Sequence, residues 1–275
     1  MIVRWLRSLV PASVRIVLKR HWYRGTRHEC PLCQSSISYF LPLEPQFRND
    51  LTINGSMYSY RDYETLNVDA YLCPVCGASD RARLFSLFLK TPDAVPSEPD
   101  SRFVHFAPDH PLVRAWVLQA GFTEYRTSDL FMSGVDDRLD IQDLHGYDNE
   151  SVSAFLCSHV LEHVPNDSLA LKELHRVLHP KGWGIVMVPV LLLLGETHEC
   201  PEPSSVQERI TQVGQADHVR VYAKNSLVSS LRAVGFETRL LTVKHLGQES
   251  VTKYGLSPTS TLYLVTRAER FRRVE

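Results

Sequence analysis

The sequence predicts an α/β fold: a doubly wound, mostly parallel sheet of seven strands, preceded by a small four-cysteine segment. Three observations carry that expectation. From Arg102 onward, short apolar runs alternate with amphipathic stretches, the rhythm of strand–helix–strand units. Two apolar runs then close the pattern, placed to form an antiparallel hairpin at one sheet edge. Ahead of all this stand two Cys-x-x-Cys pairs, Cys30/Cys33 and Cys73/Cys76, in a region of short β-prone stretches and turn formers.

The elements follow in order. Phe103 to Ala107 is an apolar strand, and Pro111 to Ala120 a helix with proline in its first turn. Glu124 to Ser128 and Val135 to Ile141 make a second and a third strand, the latter weaker. Val152 to Ser158 is the fourth, followed by a helix from about Asn166 to Leu178 that His179-Pro-Lys-Gly182 stops. Trp183 to Val190 reads as a buried strand, Lys224 to Val234 as a helix ended by Gly235. Phe236 to Lys244 and Thr261 to Arg267 are the last two strands, with no helix expected between them. The organisation is therefore a basic arm over 1–27, a four-cysteine segment with a helix over 28–90, a linker at 91–101 marked by Pro92, Pro96 and Pro99, and an α/β domain over 102–275.

Composition narrows the function classes. Thirty Lys plus Arg against 31 Asp plus Glu, with 44% hydrophobic residues, excludes a collagen, a disordered acidic tail and a small disulfide scaffold. No run approaches the roughly 18 apolar residues of a membrane-spanning helix. The charge is uneven: residues 1–28 hold seven basic side chains and no acid, leaving 23 basic and 31 acidic residues beyond. The arm reads either as an interfacial helix on anionic lipid or an acidic partner, or as a terminal helix packing Trp5 and Trp22 on its own domain. A cytosolic address is expected, with peripheral membrane contact through the arm as a further option.

The four cysteines have the spacing of a closed thiolate shell for a structural zinc, with no position left for chemistry. Cys157 reads as core at a strand end. His159-Val-Leu-Glu162-His163 matches the HxxEH pattern of a zinc peptidase class. It follows a strand directly and Pro165 cuts it short, the wrong scaffold for that chemistry. Ligands in open α/β sheets bind beyond the carboxyl ends of the strands. Those ends carry Asp109, Asp129, Asp140 and Ser158-His159, and Asp129 lies 20 residues after Asp109, the distance at which nucleotide folds place a ribose-binding carboxylate.

Ser158-His-Val-Leu-Glu-His-Val-Pro-Asn-Asp167, followed by Leu171-Lys-Glu-Leu-His-Arg-Val-Leu-His-Pro-Lys-Gly-Trp183, resembles class I S-adenosylmethionine-dependent methyltransferases of the type 11 group. Val104-His-Phe-Ala-Pro-Asp109 and Gly214-Gln-Ala-Asp-His-Val-Arg-Val-Tyr222 narrow the resemblance to a bacterial subgroup with an N-terminal four-cysteine, zinc-ribbon-like segment. The resemblance implies a Rossmann-like methyltransferase sheet and S-adenosyl-L-methionine as cofactor. It implies that Ala107 and Asp109 pass under the methionine moiety and that Asp129 holds the ribose. Asp140 and Ile141 would frame the adenine, and Ser158 and His159 would border the sulfonium. The sequence departs from the common pattern in several places. His105 stands at the usual acidic position, and Ala107 and Asp109 replace the first two glycines. Val152-Ser153 replaces Phe-Asp, and Leu144-His-Gly146 replaces Leu-Pro-Phe. Methyl transfer needs mainly alignment, plus a base for a hydroxyl acceptor. His163 and His218 are the candidate bases. The expected function is O-methylation of a small molecule or glycan. An RNA methyltransferase and a non-catalytic interaction protein with a degenerate fold are the alternatives, the net acidic body counting against nucleic acid.

Overall fold

The structure, a computed structural model, describes residues 11–45, 55–56, 58–96, 98–200, 204–247 and 249–267. Trp5, Leu6, Leu9 and Val10, part of the apolar pattern of the arm, lie outside them.

Ten strands and seven helices are described. Helix α1 (Ala12–Trp22) begins after Pro11, whose fixed φ suits a helix start, and carries Lys19, Arg20 and His21 in its last turn, where the helix dipole favours positive charge. Trp22 is 81% exposed, so it does not pack on the domain as one reading of the arm expected. A hairpin of β1 (Arg24–Cys30) and β2 (Ser35–Ile37) follows. Helix α2 (Asp80–Phe88) is capped by the Ser79 side chain, which accepts from the Ala82 N–H.

The main sheet contains β3 (Arg102–Phe106), β4 (Glu124–Ser128), β5 (Val152–Ser158), β6 (Leu178–Met187), β9 (Phe236–Thr242) and β10 (Thr261–Arg267). Their order is β4-β3-β5-β6-β10-β9. The first four run parallel, and β10 is antiparallel to both β6 and β9. Alternation of side chains puts Phe103, Leu156, Ile185, Leu262 and Leu264 on one face, clustered with α2 and with Val113 and Val117 of α3 (Leu112–Gln119). Val104, Phe155, Val186, Tyr263 and Val265 face the other way, onto α4 (Asp167–Val177) and α6 (Lys224–Ala233). The mostly parallel sheet with helices on both faces is the Rossmann-like arrangement the sequence predicted.

Two elements differ from expectation. The third strand, Val135 to Ile141, is reduced to a single parallel bridge between Ser128 and Asp137. Its carboxylates take other partners: Asp137 accepts from Arg126 at 2.5 and 2.7 Å and from the Tyr147 hydroxyl at 2.6 Å, and Asp136 accepts from the Thr127 N–H at 2.8 Å. Short acidic side chains that bond nearby groups compete with a ladder. The hairpin at the edge is present, but the connection between β9 and β10 holds a short helix, α7 (Glu249–Tyr254). Between β6 and α6 lie the small pair β7 (His198–Glu199) and β8 (Arg220–Val221), with α5 (Val206–Val213) between them. A Ser205–Glu208 capping box opens α5, and Gly214 in the left-handed region ends it.

The cysteine segment belongs to the same apolar cluster as the sheet. Cys30, Leu32, Phe40, Cys73 and Val75 pack with Phe85, Phe88, Phe103 and Trp183. Arg83 pins the joint. Fully buried, its guanidinium donates to the carbonyls of Tyr71, Ala78, Tyr254 and Gly255 at 2.8–3.0 Å and to that of Ala70 at 2.5 Å, and its plane lies 3.9 Å from the Phe40 ring centre.

Candidate active site and cysteine cluster

The strand order reverses between β3 and β5: β4 lies outside β3 on one side, while β5 and β6 extend on the other. That is the switch point where open α/β sheets bind ligands. Phe106 pairs with Ser128 on β4 and with Cys157 on β5, so Ala107, Asp129 and Ser158 leave the sheet side by side. Ala107 and His159, at the ends of the two strands that flank the switch point, both hold left-handed backbone conformations with φ of 47° and 56°. Non-glycine residues rarely adopt them, and such strain gathers at functional sites. Each is fixed by its amide: Ala107 donates to the Ser128 carbonyl at 2.9 Å and His159 to that of Met187 at 2.8 Å.

Around this edge the remaining expected residues take ordered positions. Asp129 accepts from the Phe131 and Met132 amides at 2.7 and 2.6 Å, a turn that holds its carboxylate in place. Asp140 accepts from Gln142, and Ile141 beside it is buried. Asp109 stands 3.7 Å from His105 Nε2. His105 is fully buried in β3, its Nδ1 2.7 Å from the Tyr125 hydroxyl, and burial lowers its pKa to about 4.

Next to the switch point opens a cavity of about 610 Å³, lined by His159, Glu162, His163 and His218 together with Tyr63, Arg81 and residues Val188 to Val190. Of the expected cofactor residues, only His159 reaches it; both candidate bases do. The turn Leu161–His163 after β5 supplies two of its groups, and the Gly214–His218 loop approaches from the opposite side. Arg220 ties the two together. Its guanidinium donates to the carbonyls of Leu161, Val164 and Pro165 and to the Glu199 carboxylate, while the Val219 amide donates to the Glu162 carbonyl at 2.8 Å. The Tyr222 hydroxyl donates to Asp167 at 2.8 Å.

Glu162 is completely buried. His159 Nδ1 stands 3.0 Å from its Oε1 as an ion-pair partner, while Oε2 has no hydrogen-bond partner. Burial alone would raise this carboxyl; His159 first, then His218 and His163, outweigh it and hold it below the usual carboxylate range. Burial lowers His159, with Arg81 acting the same way and Glu162 opposing, and burial lowers His218 to about 4. His163 meets the His218 ring edge-on at 4.8 Å and stands 3.1 Å from the Asp217 carbonyl. Residue patterns missed Tyr63 and Arg81, which enter from the cysteine segment. Glu162 was visible only within a peptidase motif that its scaffold rules out.

The four thiols converge. Cys30 and Cys76 sulfurs are 3.8 Å apart, as are those of Cys33 and Cys73. Sulfurs on one tetrahedral ion at about 2.3 Å lie about 3.8 Å from one another, so the set fits zinc without rearrangement. The knuckle is clamped to the sheet domain: Trp116 Nε1 donates to the Leu32 carbonyl at 2.7 Å, and His110, directly after the loop Ala107–Asp109, bonds the Cys76 carbonyl at 3.1 Å.

Residues 132–186 match the family model of a methyltransferase domain. That match spans the loop after β4, all of β5 and the HxxEH turn, α4 and most of β6. No curated protein matches the chain in sequence. Among solved structures, the chain is similar to the [4+2]-cyclase SpnF, at 13% identity and a TM-score of 0.48 over 83% of this chain and 98% of that one. It is also similar to an S-adenosylmethionine-dependent methyltransferase from Mesorhizobium loti, at 12% identity and a TM-score of 0.44 over 66% and 96%. The 1,6-didemethyltoxoflavin-N1-methyltransferase of Burkholderia thailandensis, solved with 1,6-didemethyltoxoflavin and S-adenosylhomocysteine, gives 13% and 0.41 over 62% and 72%. At such distances the substrates of those proteins do not carry over.

Proposed function

We propose that this protein is a methyltransferase that binds S-adenosyl-L-methionine across the ends of β3, β4 and β5 and methylates a hydroxyl of a small molecule or glycan held in the adjoining cavity. The observation that carries this reading is the juxtaposition at the switch point: Ala107, Asp129 and Ser158 leave three neighbouring strands together, and the cavity opens beside them from His159. Ala107 and Asp109 would contact the methionine moiety, Asp129 the ribose, Asp140 and Ile141 the adenine, and Ser158 and His159 the region of the sulfonium. The cofactor supplies a methyl group activated by positive sulfur. The chain's own task is to align an acceptor oxygen with that methyl and accept its proton. His163 and His218 reach the cavity to do the second, and His218, lowered to about 4 by burial, is neutral near pH 7. The thiolate set of Cys30, Cys33, Cys73 and Cys76 would hold a structural zinc with no open position.

The arm supports one more element of this reading. Val17 is 65% exposed and Trp22 more so, on a helix that also bears Arg15, Lys19 and Arg20. That combination fits peripheral contact with an anionic lipid surface.

Calorimetric titration of the zinc-loaded chain with S-adenosylmethionine tests the cofactor site. Micromolar binding is expected, weakened about tenfold or more in Asp129→Asn, which keeps the turn but removes the charge. Absence of binding by folded wild type would overturn the reading; binding indifferent to Asp129→Asn would overturn the residue map.

A further inference from the structure

A second cluster of metal-ligating side chains lies within the cavity, 86 residues beyond Cys76 at its nearest member and made of different atoms. Glu162, His163 and His218 each offer one ligand atom, and these atoms all lie within 4.8 Å of one another. On one ion with bonds near 2.1 Å, neighbouring ligand atoms sit about 3.0–3.5 Å apart, so small side-chain rotations close the set. Two further observations point to a ligand. Glu162 is wholly buried, with His159 Nδ1 3.0 Å from Oε1 and no partner on Oε2, and His218, 2% exposed, leaves Nδ1 without one. Buried polar atoms left in that condition cost of the order of 1–3 kcal/mol each. The backbone is arranged to keep these residues together, since Arg220 and the Val219 amide lock the His218 loop onto the Leu161–Pro165 turn.

We propose that Glu162, His163 and His218 bind a divalent first-row transition ion on the acceptor side of the cleft. Two imidazoles and one carboxylate suit Zn²⁺, Fe²⁺, Co²⁺ or Mn²⁺ better than Mg²⁺, which prefers an all-oxygen shell. Three protein ligands leave positions open toward the cavity. The ligand class those positions take is an acceptor with two neighbouring oxygens, such as a vicinal diol or a hydroxy-carbonyl, that can chelate. This role rests on the methyl-transfer reading above: the ion lowers the pKa of the acceptor hydroxyl. With His163 and His218 on the ion, the hydroxyl proton passes to water in the cavity. The oxygen then forms its bond to the methyl carbon as the carbon–sulfur bond breaks, giving a methyl ether, S-adenosylhomocysteine and one proton. Ion binding itself does not depend on that role.

The test is a Co²⁺ titration of the full chain with its cysteine cluster already filled by zinc, followed by visible absorption. One equivalent is expected to bind with the d–d bands of a nitrogen and oxygen shell and no thiolate charge-transfer band. His163→Gln, at the cavity rim, should weaken it about tenfold and Glu162→Gln about a hundredfold. If the buried Glu162 variant fails to fold, His163→Gln alone decides. No Co²⁺ uptake at millimolar concentration, uptake showing only thiolate bands, or equal affinity in folded His163→Gln would each overturn the proposal. S-adenosylmethionine titrated into the same samples separates the two readings. Cofactor binding with no Co²⁺ site sinks the metal alone, whereas Co²⁺ binding without cofactor affinity keeps the metal site and sinks its methyl-transfer role.

Discussion

His105 sits where burial has a pH signature. The side chain is fully buried in β3, is paired with the Tyr125 hydroxyl and has its pKa lowered to about 4, mainly by burial, with Asp109 opposing. In the unfolded chain it takes up a proton near pH 6.5. Between those values the unfolded state binds the extra proton, so stability is complete above about pH 6.5 and falls as pH drops toward 4. The loss over that window is roughly 3 kcal/mol. Urea unfolding from pH 7 to 4.5 should show it, and His105→Gln should remove its share of the slope; an undiminished slope would assign the effect elsewhere. Asp137 works in the other sense. Arg126, then the Tyr147 hydroxyl, hold its carboxyl below the usual range against burial, so its contribution is present above the ordinary carboxylate range and is lost as pH falls through the depressed value. This pair is also why a strand expected over Val135 to Ile141 was not legible as a loop: apolar spacing was present, and the side-chain bonds that outcompete the ladder are not visible in spacing.

At the scale of elements, the strands and helices that frame the site were readable because their apolar periods match their burial. Gly184 shows how closely β6 and β5 meet: a Cβ there would lie 2.1 Å from the Phe155 ring. Gly184→Ala should therefore cost about 1–3 kcal/mol, measured as a fall in unfolding midpoint with the sheet otherwise intact by circular dichroism. The β8 strand depends on a different bond. Arg220→Met leaves the carbonyls of Leu161, Val164 and Pro165 without their buried donor, a change expected to destabilise by about 3–5 kcal/mol. It should also free the His218 loop, seen as earlier hydrogen exchange in residues 214–222; protection equal to wild type there would show that the loop is held by other contacts. Neither Arg220 nor Arg83 was legible as an organiser, because their partners are main-chain carbonyls scattered along the chain. The cavity had the same problem: the HxxEH turn announced itself, but Tyr63, Arg81 and the Gly214–His218 loop meet it only through the tertiary fold.

For the whole molecule, the cysteine cluster and the sheet act as one body. His110 and Trp116 bond the two knuckles, and His110 follows the loop that would carry the cofactor. Removing the metal with a strong chelator is expected to lower the melting temperature and to weaken S-adenosylmethionine binding in parallel; a chelated chain that keeps full affinity would show the two to be independent. The same unity has a consequence during synthesis. Arg83 closes on the carbonyls of Tyr254 and Gly255, 171 and 172 residues away, and His28 meets the Thr252 carbonyl across 224. A ribosome adding about 5–20 residues per second needs roughly 10–30 s to travel from residue 90 to residue 255. Throughout that interval the four thiols are translated, adjacent and uncovered, so the nascent chain is open to whichever arrives first, metal or oxidant, before the fold shuts over them.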